Sequence, residues 1–317
     1  MLISKYNSKM IKFQQCIVKI EMQIKASRDN SLDFTRGLFI FLMIVFHVFV
    51  NFRGNGTDYL QFLALLRPTT FVFAFMSGLS LMKFSSERPA KYYAKKSLIL
   101  ILVFVSFNLI RAINEPSILN PEVFLRAILV GEQEYLSFEI LLALGIITLF
   151  FPILKNRLVL SLTFFGIWVL ISNIFTLPSY NFDIYLSFIC GMFFVKYFSA
   201  NKISKPIKVF LWVAMLLLMI FVSNNPNISL ISITLGVLYV VNTISIKITS
   251  TFFTKPIMVL SYFSLFTYVA HIVLIKSINL LFPTLKSHDF IPLMGISIGI
   301  SITFWLISLL ILRLKKR

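Results

Sequence analysis

The amino-acid sequence predicts an all-α fold: a polytopic membrane bundle of about ten transmembrane helices, with the N and C termini both cytoplasmic. Three observations predict it. Of the 317 residues, 58% are hydrophobic and 13% are charged, and the mean hydropathy is +0.89; in soluble domains charged residues approach about a quarter of the chain. The apolar residues run in stretches of the length needed to cross a bilayer's hydrocarbon core. The Lys and Arg side chains behind the net charge of +18 fall between those stretches, as membrane topology demands. They form no basic stripe interleaved with exposed aromatics, so nucleic acid is set aside as a partner.

Residues 1–30 form a basic tail carrying Lys5, Lys9, Lys12, Lys19, Lys25 and Arg28, suited to the cytoplasm or to the surface of anionic lipid. No apolar core followed by a small-residue cleavage site marks a cleavable signal, and Met10 and Met22 leave the natural start open. Residues 31–317 read as one multispanning domain. The spans expected in it are 34–52, 68–84, 95–113, 136–154, 158–176, 184–199, 207–223, 228–246, 257–282 and 290–312. The sixth is short and the ninth long. Segment 121–131 is too short to cross and holds Glu122 and Arg126, so it reads as an interfacial helix. Gly295 and Gly299 make a GxxxG in the last span, a pattern usually explained by helix packing.

Placing the amino terminus inside puts 23 Lys and Arg on the cytoplasmic side and six on the outer side, with Arg36 at the inner mouth of the first span. Acidic residues show the reverse bias. Both fit an even number of crossings. The chain is thus expected to be a multi-pass protein of the cell membrane, in contact with membrane lipids. A homo-oligomer is left open.

Polar residues inside spans are costly and point to sites. The first group lies in SLDFTRGLFIFLMIVFHVFVN, Ser31 to Asn51, with Asp33 and Arg36 at its start and His47 and Asn51 deep in it. Eleven steps of about 100° return position 47 to roughly the azimuth of 36, and about 1.5 Å per residue sets the two roughly 16 Å apart along one stripe. The bland alternative is an arginine on lipid phosphate and a histidine bonded between helices. The second group is Ser264, Thr267, Tyr268 and His271, one polar face at spacings of three and four. Here Thr or Tyr hydroxyls are expected to fix the imidazole tautomer, against a competing role as interhelical glue. The third is Arg67-Pro68 running to Ser77, Gly78 and Ser80, a small-residue face. In the fourth, Glu132, Glu134 and Glu139 stand on the outer side, Glu139 within reach of Arg67 or Arg111 by topology. His288 beside Asp289 reads as exposed. Cys16 and Cys190 allow no disulfide framework, and the three histidines are too scattered for a metal site.

With these residues in view, a family can be named. SLDFTRGLFIFLMIVFHVF resembles the first span of membrane acyltransferases in which a D-x-x-R-G opening is followed, ten intervening residues beyond its arginine, by a histidine. That pattern covers acyltransferase family 3 and the heparan-α-glucosaminide N-acetyltransferase-like proteins. Arg67-Pro68 through Phe73 to Ser77-Gly78 and Ser264 through His271 are similar to motifs of the second branch and favour it. The segment from Glu139 to Ile146 resembles a recurring E-I-L-Q-A-I-G stretch. The chain departs from the pattern at Phe263, where an asparagine is usual, and in its first outer loop, which has no histidine.

The resemblance implies transfer of an acyl group, usually acetyl, from cytoplasmic acyl-CoA to an outer acceptor, commonly a sugar or glycan. It implies no permanently bound cofactor. Without the loop histidine, direct transfer with both substrates bound is the expectation. His47 would act as general base, and His271 with Tyr268 would orient or polarise the carbonyl oxygen. Arg36 and Asp33 at the mouth, with Asn51, Ser77 and Arg67, would bind the donor, a guanidinium suiting its phosphates. The rival reading is a transporter or flippase of a lipid-linked or anionic substrate. Against it stand the absence of a convincing 5+5 repeat and a D-x-x-R-G…His arrangement with no transport rationale. A degenerate, non-catalytic member is the third possibility.

Overall fold

A computed structural model of the chain describes residues 30–52, 62–63, 66, 68–113, 116, 120–129, 138–175, 180–197, 254–282 and 289–314. Every regular element among them is an α-helix: α1 (Asn30–Phe52), α2 (Pro68–Ser85), α3 (Ala90–Ala112), α4 (Pro121–Leu129), α5 (Glu139–Leu154), α6 (Leu158–Ile174), α7 (Tyr180–Tyr197), α8 (Thr254–Tyr262), α9 (Ser264–Leu281) and α10 (Phe290–Leu314). The expected spans 207–223 and 228–246 lie outside the described residues, as do Arg67, Glu132, Glu134 and His288.

Among the described residues, four stretches are long and apolar enough to cross a membrane: Leu32–Phe52, Ala90–Ala112, Ser264–Leu281 and Phe290–Ile311. Shorter apolar helices cover Thr69–Ser85, Ile140–Leu154 and Leu158–Val169. Large apolar side chains stand exposed along α3 (Leu98, Leu102, Leu109), α6 (Val159, Leu160, Phe164) and α10 (Ile298, Ile302, Leu306, Leu310). Water would penalise such surfaces, whereas acyl chains solvate them. The chain is a membrane protein.

Helix α1 is the hub. In its apolar window 56% of residues are buried, against 22% in α3, and it packs on α2, α8, α9 and α10. Ile40, Met43, Ile44, Val48 and Phe49 form its buried stripe. Outward from it, α2 lies against α7, α7 against α5 and α6, and α5 against α3. Three of these contacts need glycine. A Cβ at Gly37 would lie 1.8 Å from the carbonyl oxygen of Ile257 in α8. One at Gly78 would lie 2.0 Å from that of Phe188, and one at Gly191 2.0 Å from that of Phe75. The second and third belong to one α2–α7 crossing, where each helix offers the other a glycine. The GxxxG of α10 does not work this way: among the described residues, nothing comes within 4 Å of a Cβ at Gly295 or Gly299.

Polar side chains inside the helices mostly bond to their own backbone one turn back. Ser77 donates to the Phe73 carbonyl, Asn108 to Phe104 and Ser187 to Asp183, at 2.8 to 2.9 Å. This satisfies a hydroxyl or amide where water is absent.

Two expectations are corrected. The long span 257–282 is two helices, broken at Phe263, whose φ of −119° and ψ of 40° leave the helical region. Hydropathy cannot register such a break, because Phe263 continues the apolar run. Helix α7 starts at Tyr180 rather than 184, bringing Asn181 and Asp183 into the helix and into the interior, where both are buried. Segment 121–131 is a short helix, Pro121–Leu129, opened by the Asn120 side chain accepting from the Glu122 N–H at 3.0 Å. Arg126 pairs with Glu122 at 2.8 Å on its exposed face.

Candidate functional site

The two motifs bring a pair of histidines together inside the bundle, His271 buried and His47 half-buried. His47 on α1 and His271 on α9 meet with Nδ1 of His47 3.1 Å from Nε2 of His271. Each ring also reaches the backbone one turn earlier on its own helix. Nδ1 of His271 lies 2.8 Å from the Thr267 carbonyl, and Nδ1 of His47 lies 2.9 Å from that of Met43. A carbonyl only accepts, so Nδ1 of His271 carries the proton, and in the uncharged ring its Nε2 must accept. His47 then donates through Nδ1, shared between Met43 and His271. Its Nε2 is left with the lone pair and has no hydrogen-bond partner among the described residues.

The group fixing the tautomer is therefore the Thr267 carbonyl, not a Thr or Tyr hydroxyl as the sequence suggests. Thr267 Oγ1 is buried without a hydrogen bond among the described residues, because the carbonyl lies on the imidazole and the hydroxyl does not. Asn51, one turn beyond His47, donates to the His47 carbonyl at 2.7 Å. Tyr268 is buried, edge-on to His271 at 5.9 Å. It also meets Phe73, stacked at 6.0 Å and 22°, and Phe138, edge-on at 6.0 Å. Phe138 holds a left-handed backbone, φ 63° and ψ 31°, which costs a bulky residue about 1–3 kcal/mol.

A second feature lies toward the end of the bundle where α2 finishes and α3 begins. A cavity of about 510 Å³ is lined there by Asp33, Arg36, Ser77, Ser80, Tyr92 and Lys96, with Phe73, Leu144 and Leu265 on its apolar side. Arg36 donates to Ser80 Oγ, which ties the D-x-x-R-G arginine to α2. The rim is the α2–α3 turn. It is held by Tyr93 donating to the Ser85 carbonyl, Ser85 Oγ near the Tyr92 hydroxyl at 3.3 Å, and Lys155 donating to the Ser86 carbonyl at 2.7 Å. Lys96 lies over the Tyr92 ring, 4.7 Å from its centroid. Ser264 and Leu265 also border the cavity, so the N-terminal end of α9 opens onto it. The break at Phe263 gives α9 this second N-terminus, with no side-chain cap.

The expected site residues thus fall into two groups. Arg36, Asp33 and Ser77 line the cavity; His47, His271 and Tyr268, with Asn51 beside them, form the deeper cluster. The two are not continuous, because His47 does not border the cavity and Phe73 stands between. Arg67 and the side chain of Glu139 lie outside the described residues, so their expected pairing does too. Sequence reading missed Tyr92, Lys96, Ser85 and Thr148 of the cavity. Lys96 belongs to a basic run that reads as topology, and only its place one turn after Tyr92 could have singled it out. Among the described residues no His, Cys, Asp and Glu cluster could hold a metal ion.

In comparison with known families, a family model described as an acyltransferase domain, that of acyltransferase family 3, aligns with residues 29–312. That is the first of the two branches, not the second, which the Arg67–Gly78 and Ser264–His271 motifs favour. Comparisons with curated proteins and with solved structures gave no match.

Proposed function

The chain belongs to acyltransferase family 3, and from that premise we propose that it moves an acetyl group from cytoplasmic acetyl-CoA to a sugar or glycan hydroxyl or amine at the outer face of the cell membrane. The observation that carries this reading is the His47–His271 pair, with one imidazole nitrogen aimed away from its partner and holding a lone pair.

In this reading His47 Nε2 takes the proton from the acceptor as its oxygen or nitrogen attacks the thioester carbonyl. The new C–O or C–N bond forms, the C–S bond breaks, and the proton passes to the departing thiolate, releasing CoA. As His47 gains charge, Nε2 of His271 accepts from its Nδ1–H, and the Thr267 carbonyl holds His271 in the required tautomer. The arrangement parallels the base-and-orienter logic of hydrolytic triads. With both ring nitrogens so engaged, His271 suits positioning better than polarising the carbonyl oxygen. The donor's phosphates are assigned to the cavity, where Arg36, Lys96 and the open N-terminal end of α9 all favour an anion. Asp33 and Ser77 line the same chamber, and membrane lipids surround the rest. This reading sets the chamber on the cytoplasmic side, which the basic residues at the neighbouring ends of α2, α3 and α5 support by the positive-inside rule.

A transport reading draws on the break between α8 and α9, since transporters bind at interrupted helices. It needs a second, symmetry-related break, and none appears among the described residues. The deciding experiment incubates the purified full-length protein with labelled acetyl-CoA and a panel of hexoses, aminohexoses and their oligosaccharides. Acceptor-dependent CoA release is expected, with kcat reduced about 10²- to 10⁴-fold in His47→Ala. Full turnover by a folded His47→Ala variant removes His47 from the mechanism.

A further inference from the structure

We infer that Phe73 is the residue that sets the length of acyl group the protein accepts, an inference that rests on the acyl-CoA reading above. The cavity follows one face of α2: Ser85, Leu81 and Ser80, Ser77 and Phe73 succeed one another at spacings of three and four, all on its wall. Twelve residues of helix separate Ser85 at the rim from Phe73, a depth of about 18 Å. Lys96, Tyr92 and Ser85 stand together at the rim, and Arg36 meets the α2 wall at Ser80, between that rim and Phe73. A donor entering with its phosphates at that rim points its acyl end at Phe73.

Beyond Phe73 there is one further layer. Its ring stacks on Tyr268, and Tyr268 meets His271 edge-on. Ser264, which borders the cavity, lies seven residues before His271 on α9, about 10 Å along the axis. The Phe73–Tyr268 stack occupies that interval.

Phe73 also cannot retreat by moving its backbone. Its carbonyl accepts from Ser77 Oγ at 2.8 Å, and the α2 backbone just beyond it is pressed against α7 at the Gly78–Phe188 and Gly191–Phe75 contacts. The ring can turn about its own side-chain bonds while the backbone stays fixed. A two-carbon acyl group passes such a boundary at the cost of a side-chain rotation. Each added methylene must displace the ring from its stack.

The test measures binding of CoA, acetyl-CoA, butyryl-CoA and octanoyl-CoA to the purified full-length protein by calorimetry, which needs no acceptor. The wild type is expected to bind acetyl-CoA at least as tightly as butyryl-CoA. Phe73→Ala and the milder Phe73→Leu are expected to shift the butyryl-to-acetyl affinity ratio toward butyryl, by about tenfold for Phe73→Ala, the scale of two newly buried methylenes. CoA itself, which lacks the acyl group, should bind all three proteins equally. If Phe73→Leu and Phe73→Ala keep the wild-type ratio, or if wild type already binds octanoyl-CoA best, Phe73 does not set the length. If the wild type binds none of the four, the acyl-CoA reading itself fails.

Discussion

His47 and His271 are 224 positions apart in the chain and share one hydrogen bond. That bond assigns the two rings different work. His47 keeps an open Nε2, while His271 has a partner on each nitrogen. Replacing His271 therefore tests positioning rather than chemistry. His271→Ala is expected to lower kcat about 10- to 100-fold, the usual cost of losing an orienting partner. His271→Gln, whose amide oxygen can still accept from His47, should recover part of that loss and displace the pH profile of kcat/KM less. Equal losses in the two variants would remove the hydrogen bond from the explanation. Both histidines were legible in the sequence, because imidazoles in apolar runs are rare and costly. Their contact was not. Helical periodicity places residues on a face of their own helix and says nothing of which other helix that face meets. The hydroxyl predicted to fix His271 misled for a related reason. Spacing puts Thr267 one turn before His271, but cannot tell its side chain from its carbonyl.

At the scale of elements, the contacts that hold the site are made by backbone. The α2–α7 crossing has Gly78 under Phe188 and Gly191 under Phe75. Gly78→Ala and Gly191→Ala are each expected to cost about 1–3 kcal/mol through overpacking, read as a lower Tm in detergent. The double variant should cost less than the sum, since the first Cβ already separates the helices. Strict additivity would show that the two glycines act at independent places. Gly78 was noticed in the sequence beside Ser77, whereas Gly191 in an apolar run carried no signal. The GxxxG of α10 was the conspicuous pattern, yet its glycines meet nothing within 4 Å among the described residues. Glycine spacing reports what a helix permits; only a partner decides what is used. The break at Phe263 escaped for a different reason. It comes from backbone dihedrals at a residue whose side chain continues the hydropathy, and no proline or glycine marks it. It nonetheless gives α9 the start that opens onto the cavity.

Across the whole molecule, the membrane character and the helical architecture were readable from composition and run length, and most described helices begin and end within a few residues of the expected limits. The cavity was not readable, because Arg36, Ser77, Lys96, Thr148 and Ser264 reach it from five helices. The pairing of helix ends does agree with alternating crossings. Tyr93 near the start of α3 meets Phe151 near the end of α5, while Phe107 near the end of α3 meets Phe138 just before α5. The positive-inside rule then predicts sidedness. In protein whose own cysteines, Cys16 and Cys190, have been replaced by serine, single cysteines at Arg88 and Asn156 should react with an impermeant maleimide only from the cytoplasmic side. A cysteine at Asn120 should react only from outside. Labelling of Arg88 and Asn120 positions from the same side would overturn the alternation.

The claim on which these scales converge is that a thioester entering past Arg36 meets His47. The most direct measurement is a density map of the full-length protein bound to a non-transferable acetyl-CoA analogue, its thioester sulfur replaced by a methylene. The account predicts phosphate oxygens within hydrogen-bond distance of Arg36 or Lys96, the Phe73 ring rotated about its own side-chain bonds, and the acetyl carbonyl within about 3–3.5 Å of where an acceptor bonded to His47 Nε2 would sit. An analogue bound with its acetyl end away from the histidine pair, or seated outside the Arg36 cavity, would contradict it.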